Sequence, residues 1–133
     1  MSEKKKKVLV IDDDVLIREV VKATLEHFDF EAVTLESPTQ AGAVIRKTRP
    51  DLILMDLYMP ELNGIELLKT LKDDPETARI PVIMLTGSRD RTDVIEVQKA
   101  GVYEYVTKPI DNQALMAKVR EVLRMAAPKG DAR

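Results

Sequence analysis

Five short apolar, β-branched segments alternate with five stretches of helical periodicity along this chain, and strict alternation of that kind leaves few folds open. The strand segments are "KVLVID" ending at Asp12, "EAVTL" around Val33, "DLILMD" ending at Asp56, "PVIMLT" ending at Thr86 and "VYEYVTK" ending at Lys108. Unbroken runs such as Leu52 to Met55 suit strands covered on both faces, the pattern of a parallel inner strand. The expectation is an α/β three-layer sandwich, a five-stranded parallel sheet flanked by five helices; right-handed crossovers leave few topologies, and of these the order 2-1-3-4-5 is chosen. The switch point falls between the first and third strands.

The spacing of Leu16, Val20, Val21 and Leu25 predicts a first helix from Val15 to Phe28, with Asp13 or Asp14 as its cap. A second is expected from Ser37-Pro38 to Lys47, ended by Arg49-Pro50. The third, near Leu62 to Lys72, carries Ile65, Leu67, Leu68 and Leu71, and a polar loop follows it. The fourth, near Asp90 to Ala100, stops at Gly101 as a left-handed terminator. The fifth, from Asp111 to about Met125, presents Leu115, Val119, Val122 and Leu123 on one side. Residues 1–6 are expected to be a basic lead-in, 7–126 one domain, and 127–133 a tail or the start of a linker.

A length of 133 residues suits one domain with a real core, and 44% hydrophobic with 33% charged residues is a soluble, globular balance. The absence of cysteine excludes disulfides, thiolate metal sites and thiol nucleophiles; carboxylates, hydroxyls, lysines and one histidine remain for chemistry. The longest apolar runs fall far short of a membrane span, and no signal-length hydrophobic segment follows "MSEKKKK". A cytoplasmic chain without membrane contact is expected. A net charge of −2 gives no global attraction to nucleic acid, and Lys4 to Lys7 reads as a solvated lead-in more simply than as a binding arm. Direct nucleic-acid binding is therefore not expected.

Four of the five strand segments deliver polar groups to one edge of such a sheet: Asp12 to Asp14, Asp56, Thr86 and Lys108. In open α/β sheets the carboxyl edge is where ligands bind. One of the three successive acids, Asp14 by position, serves as a helix cap. Three carboxylates facing a fourth at Asp56 repel one another unless a cation is present. All-oxygen ligands favour Mg²⁺ or Mn²⁺ over Zn²⁺, and a site that keeps several waters suits Mg²⁺. Asp56 alone is explained as a cap for the turn at Pro60, Asn63 and Gly64. Beside a divalent cation the same carboxylate is a nucleophile toward a phosphoryl group, with the metal and a lysine neutralising the transferred oxygens.

Lys108 precedes Pro109, so it sits in extended or turn backbone, and opposite several acids an electrostatic role is the better reading than a surface lysine. Thr86, before Gly87 and Ser88, is either a turn hydroxyl or a donor to a phosphoryl oxygen. Tyr105 reads as strand packing and shares its face with Tyr103 by alternation. His27, alone, makes no metal site.

Together, "VLVIDDD", "LILMDLYMPELNGIELL", "PVIMLTG" and "YVTKP" resemble the receiver domain of bacterial two-component response regulators, over Lys7 to about Arg124. Each motif is weak alone; four in this order and spacing are specific. The resemblance implies a flavodoxin-like fold and a phosphorylation-dependent signalling switch of a phosphorelay. It implies Asp56 as phosphoacceptor, with Asp12 and Asp13 as the acidic pair for Mg²⁺, Asp13 directly and Asp12 largely through water. The backbone carbonyl of Tyr58 matches the third protein ligand. Thr86 and Lys108 match the switch hydroxyl and the phosphate-pairing lysine, Tyr105 matches the aromatic switch position, and the Lys108-Pro109 bond is expected cis.

In the implied mechanism a phosphoryl group on Asp56 draws Thr86 inward and Tyr105 fills the vacated space. The surface made by the fourth helix, fifth strand and fifth helix then changes its partner affinity. The implied donor is a sensor histidine kinase or a histidine phosphotransfer protein. The implied recipient is a downstream protein target or an output domain missing from these 133 residues, and a phosphorylation-dependent homodimer is a further implied partner. Transfer to Asp56 and hydrolysis from it involve no turnover of a metabolite, so the chain is not expected to be an enzyme beyond that. Two departures stand out: Asp14 adds an acid beyond the pair, and Tyr58 puts a bulky ring where the family varies, slowing access of water or partner.

Two other readings compete. "IDDDVL" also resembles the opening motif of haloacid-dehalogenase-like phosphatases, with Asp12 as nucleophile, Asp14 as general acid, and Thr86 and Lys108 in supporting motifs. That reading leaves Asp56 without a role and has only Asp111 toward a late acidic pair. The other is an interaction module of the same fold that is never phosphorylated, against which the full set of site residues argues.

Overall fold

The computed structural model describes residues 5–60, 63–88, 90–109 and 111–126. Part of the basic lead-in, Leu62 at the expected start of the third helix, and the expected tail 127–133 lie outside the described residues. Strands β1 (Lys7–Ile11), β2 (Glu31–Leu35), β3 (Leu52–Met55), β4 (Val82–Thr86) and β5 (Glu104–Thr107) form one parallel sheet in the order β2-β1-β3-β4-β5. The predicted topology holds, with β1 and β3 side by side at the switch point.

Side-chain alternation along each strand sorts the apolar residues into two cores, one on each face of the sheet. Leu9, Ile11, Ile53, Met55, Val82 and Met84 face one core. Val8, Val10, Leu52, Leu54, Ile83 and Leu85 face the other. Helices α2 (Ala41–Thr48), α3 (Gly64–Asp73) and α4 (Arg91–Lys99) supply the first core, and α1 (Val15–His27) and α5 (Asn112–Ala126) the second. Burial on both faces explains why the inner strands read as unbroken apolar runs.

Asp14 is the cap of α1: its carboxylate accepts from the backbone N–H groups of Leu16 and Ile17. The expected apolar face of this helix needs correction. Val21 and Leu25 are buried, but Leu16 is 67% exposed and Val20 is also exposed; Ile17 packs against the core in their place. The covered stripe is therefore 17, 21 and 25, with the same four-residue spacing as 16 and 20.

The second helix is split. Ser37 accepts from the N–H of Thr39 and Pro38 opens a single 3₁₀ turn, Pro38–Gln40, before α2 begins. Arg49 closes α2 in the left-handed region at φ 49°, its N–H donating to the carbonyl of Ile45. Asn63 caps α3 and Asp90 caps α4. Gly101, at φ 99°, follows α4 as expected. Of the residues in α4, Val97 is buried, so this helix is the least anchored by apolar contact.

Candidate functional site

The acids do not lie in the strands, as expected, but one residue past them, where the ladder hands over to loops. The N–H of Asp12 donates to the carbonyl of Leu35 on β2 (3.1 Å), and that of Asp56 to the carbonyl of Ile11 on β1 (3.0 Å). The N–H of Lys108, just beyond β5, donates to the carbonyl of Thr86 (2.9 Å). Sheet register thus aims four groups at one edge, as the sequence predicted. The Lys108-Pro109 bond is cis.

Asp12, Asp13 and Asp56 come together with one carboxylate oxygen of each within 4.8 Å of the others. Asp12 (2% exposed) and Asp56 (8%) are buried, and Asp13 faces solvent. The ammonium of Lys108 reaches Oδ2 of Asp12 at 2.9 Å and Oδ2 of Asp56 at 3.4 Å. Oδ1 of Asp12 accepts the N–H of Asp14 at 2.9 Å.

Burial raises the Asp12 carboxyl above its ordinary range, outweighing the Asp14 N–H and the Lys108 contact, which pull it down. Burial works to lower Lys108, but its contacts with Asp12 and Asp56 overcome this and leave it raised. The two partners of one ion pair are thus both shifted upward. Burial accounts for the first shift and the two acidic partners for the second; Lys108 meets two of the three clustered carboxylates, so the site keeps negative charge that a bound cation would offset. The donor set, all oxygen and partly buried, fits a hard divalent cation.

Thr86 is buried, and its hydroxyl oxygen accepts the N–H of Ser88 at 3.3 Å. Tyr105 is half-buried against the α2–α4 side of the sheet, and its hydroxyl donates to the carbonyl of Ser88 at 2.7 Å. Tyr103 lies just before β5 and is exposed, unlike Tyr105. Burial raises the Tyr105 phenol, against the Ser88 bond that lowers it.

Three features escaped the sequence reading. Arg18 of α1 donates through Nη1 to the carbonyl of Asp12 at 2.7 Å and fastens the acidic turn from behind. Gly64, placed only as turn chemistry, sits against backbone: a Cβ there would meet the carbonyl oxygen of Asp56 at 2.6 Å. The hydroxyl of Tyr58, a residue 53% exposed, donates to Oδ2 of Asp93 on α4 at 2.6 Å, and Ser88 Oγ donates to the same oxygen at 2.6 Å. The clearance needed at Gly64 had a signal in its Asn-Gly dipeptide; the Asp93 contact had none, since it joins residues far apart in the chain.

A likeness to known proteins extends over this whole framework. The response regulator receiver domain family matches residues 8–120. The phosphate regulon transcriptional regulatory protein PhoB of Pseudomonas aeruginosa is 40% identical over 92% of this chain and 54% of its own length. The DNA-binding response regulator MtrA of Mycobacterium tuberculosis is 35% identical over 93% of this chain and 53% of its own. The chain therefore spans about half the length of the curated relatives it matches. Among solved structures, a response regulator receiver domain protein (CheY-like) of Methanospirillum hungatei superposes with a TM-score of 0.87, at 27% identity, over 92% of this chain and 97% of that one. The chemotaxis protein CheY4 of Vibrio cholerae does so with 0.84, at 28%, over 90% and 99%. These matches leave the phosphatase reading unsupported. The fold, the order of its polar strand ends and the family match agree, and the chain belongs to the response regulator receiver domain family.

Proposed function

We propose that this domain is a phosphoacceptor switch of a two-component relay, with Asp56 as the residue that is phosphorylated. The observation that carries this reading is Lys108 bridging Asp12 and Asp56 beside the three-carboxylate cluster. An oxygen of Asp56 attacks the phosphorus of a phosphohistidine on a kinase or phosphotransfer protein. The P–N bond breaks, its electron pair returns to the imidazole, and the acyl phosphate forms on Asp56. Asp12, Asp13 and Asp56, with the Tyr58 carbonyl, would hold Mg²⁺ or Mn²⁺. When bound, the cation neutralises charge on the transferring phosphoryl oxygens.

Lys108 supplies a positive charge on the same side, released from Asp56 toward a phosphoryl oxygen. Thr86 trades its Ser88 N–H contact for donation to that group, and the β4–α4 loop follows it. A bond to a charged acceptor is worth roughly 1.5–3 kcal/mol, enough for about a tenfold population shift or more. Tyr105 donates to the Ser88 carbonyl before any phosphoryl group arrives, so it follows Ser88 and takes up the space that Thr86 vacates. The readout is the surface of α4, β5 and α5, offered to a protein target, to an output domain or to a second copy.

The test is intact mass after acetyl phosphate and Mg²⁺, with Asp56→Asn and Asp12→Asn in parallel and borohydride trapping to map the label. A metal-dependent phosphoryl adduct on Asp56 is expected. A label on Asp12 overturns the assignment, and no adduct in any condition makes the domain a docking module only.

A further inference from the structure

Ser88 is engaged at all of its polar groups. Its N–H donates to Thr86 Oγ at 3.3 Å, its carbonyl accepts Tyr105 at 2.7 Å, and its hydroxyl donates to Asp93 at 2.6 Å. Asp93 Oδ2 also accepts Tyr58 from the loop after β3 at 2.6 Å. One carboxylate oxygen on the first turns of α4 therefore gathers hydroxyls from two different loops around the acidic pocket. Both are short bonds to a charged acceptor, the strong class of hydrogen bond. They matter more here because Val97 is the buried residue of α4 and lies near its far end. The near end is held by Asp93 and by the Asp90 cap.

We propose that Tyr58, Ser88 and Asp93 form a clasp that holds the near end of α4 and the β4–α4 loop in the resting arrangement, making Tyr58 and Asp93 positioning residues for Thr86. Ser88 cannot follow Thr86 toward Asp56 while Asp93 retains its hydroxyl, so the clasp must open or shift for the switch to be thrown. Tyr58 ties this event to the loop that follows the phosphoacceptor. The Asp93 carboxyl is held below its ordinary range by the Ser88 and Tyr58 hydroxyls. The clasp deepens the switch reading, and only the rate arm of its test depends on that reading.

The substitution Tyr58→Phe removes the hydroxyl and leaves the ring. Amide hydrogen exchange across 91–99 would be compared in wild type, Tyr58→Phe, Asp93→Asn and the double variant, without phosphodonor. Each single change is expected to speed exchange in the first turns of α4 by about three- to tenfold, the loss of one charged hydrogen bond discounted for exposure. The double variant is expected to add nothing beyond Asp93→Asn, because the two side chains form one link. Unchanged exchange in Tyr58→Phe, or fully additive effects, overturns the clasp. Uptake from acetyl phosphate, followed by intact mass, should be several-fold faster in Tyr58→Phe, whereas general loosening of the fold would slow it. Slower uptake overturns the resting restraint. A wild-type chain that takes up no phosphoryl group refutes the phosphoacceptor reading, and the exchange arm then still decides the clasp.

Discussion

Gly64→Ala sets two opposing effects against each other, and the structure decides between them. Gly64 opens α3, where alanine is favoured over glycine by up to about 1 kcal/mol. Its backbone is not in the left-handed region, so no conformational penalty enters. Space does. The added Cβ would lie 2.6 Å from the carbonyl oxygen of Asp56 and 3.0 Å from both Cα and the carbonyl oxygen of Leu57. All three are backbone atoms of the segment that carries the phosphoacceptor, so no side chain can swing away. Overpacking of this kind costs about 1–3 kcal/mol, and separating the chains also stretches the 2.6 Å bond from Gly64 N–H to Leu57, worth about 1 kcal/mol. The net expectation is a loss of about 2 kcal/mol, seen as a fall of roughly 1 M in the urea midpoint. Because the strain is relieved by moving Asp56, phosphoryl uptake should also fall by about tenfold or more. A midpoint at or above that of the wild type would refute this reasoning, showing that the loop after β3 yields freely.

Asp14→Ala removes two hydrogen bonds from the start of α1 and should cost about 1 kcal/mol in chemical denaturation, with phosphoryl uptake reduced less than by Asp13→Ala. Asp13→Ala relieves carboxylate repulsion and should raise stability by about 0.5 kcal/mol in chelator; saturating Mg²⁺ should reverse the order, because only the wild type gains the binding energy, and unreversed order would remove Asp13 from the metal set. The Tyr58 phenol is pushed up to about 12 from 10.0 by its bond to Asp93. Raised in the folded state, it contributes stability fully below pH 10 and loses it as pH rises through about 12. The ultraviolet difference between wild type and Tyr58→Phe isolates this titration, and a midpoint near 10 would refute the hydrogen bond.

The parallel sheet was legible because inner strands, buried on both faces, leave runs such as Leu52 to Met55 that helices of this length do not; its order was a choice among the few topologies that right-handed crossovers allow. The meeting of Asp12, Asp56, Thr86 and Lys108 followed from topology alone, since every strand end points to one edge. Legibility ended where a choice depended on what lies across a gap. Leu16 and Val20 fit a helical stripe as well as Ile17 does, and only the position of the sheet tells which is covered. The 3₁₀ turn before α2 hung on local bonds of Ser37 to Thr39 that compete weakly with the α-helical continuation. Tyr58 was assigned to the site through its backbone, whereas its side chain turns away to α4, a contact between residues 35 positions apart.

The sheet keeps the two cores from touching. Tyr105 and the buried residue of α4, Val97, belong to one of them, while α1 and α5 rest on the other. Substitutions on opposite faces should therefore change stability additively, and those on the same face should not. In design terms the molecule is modular. The packing under α1 can be rebuilt while the contacts of Val97 are left as they are, and the packing around Val97 can be changed while α1 keeps its seat.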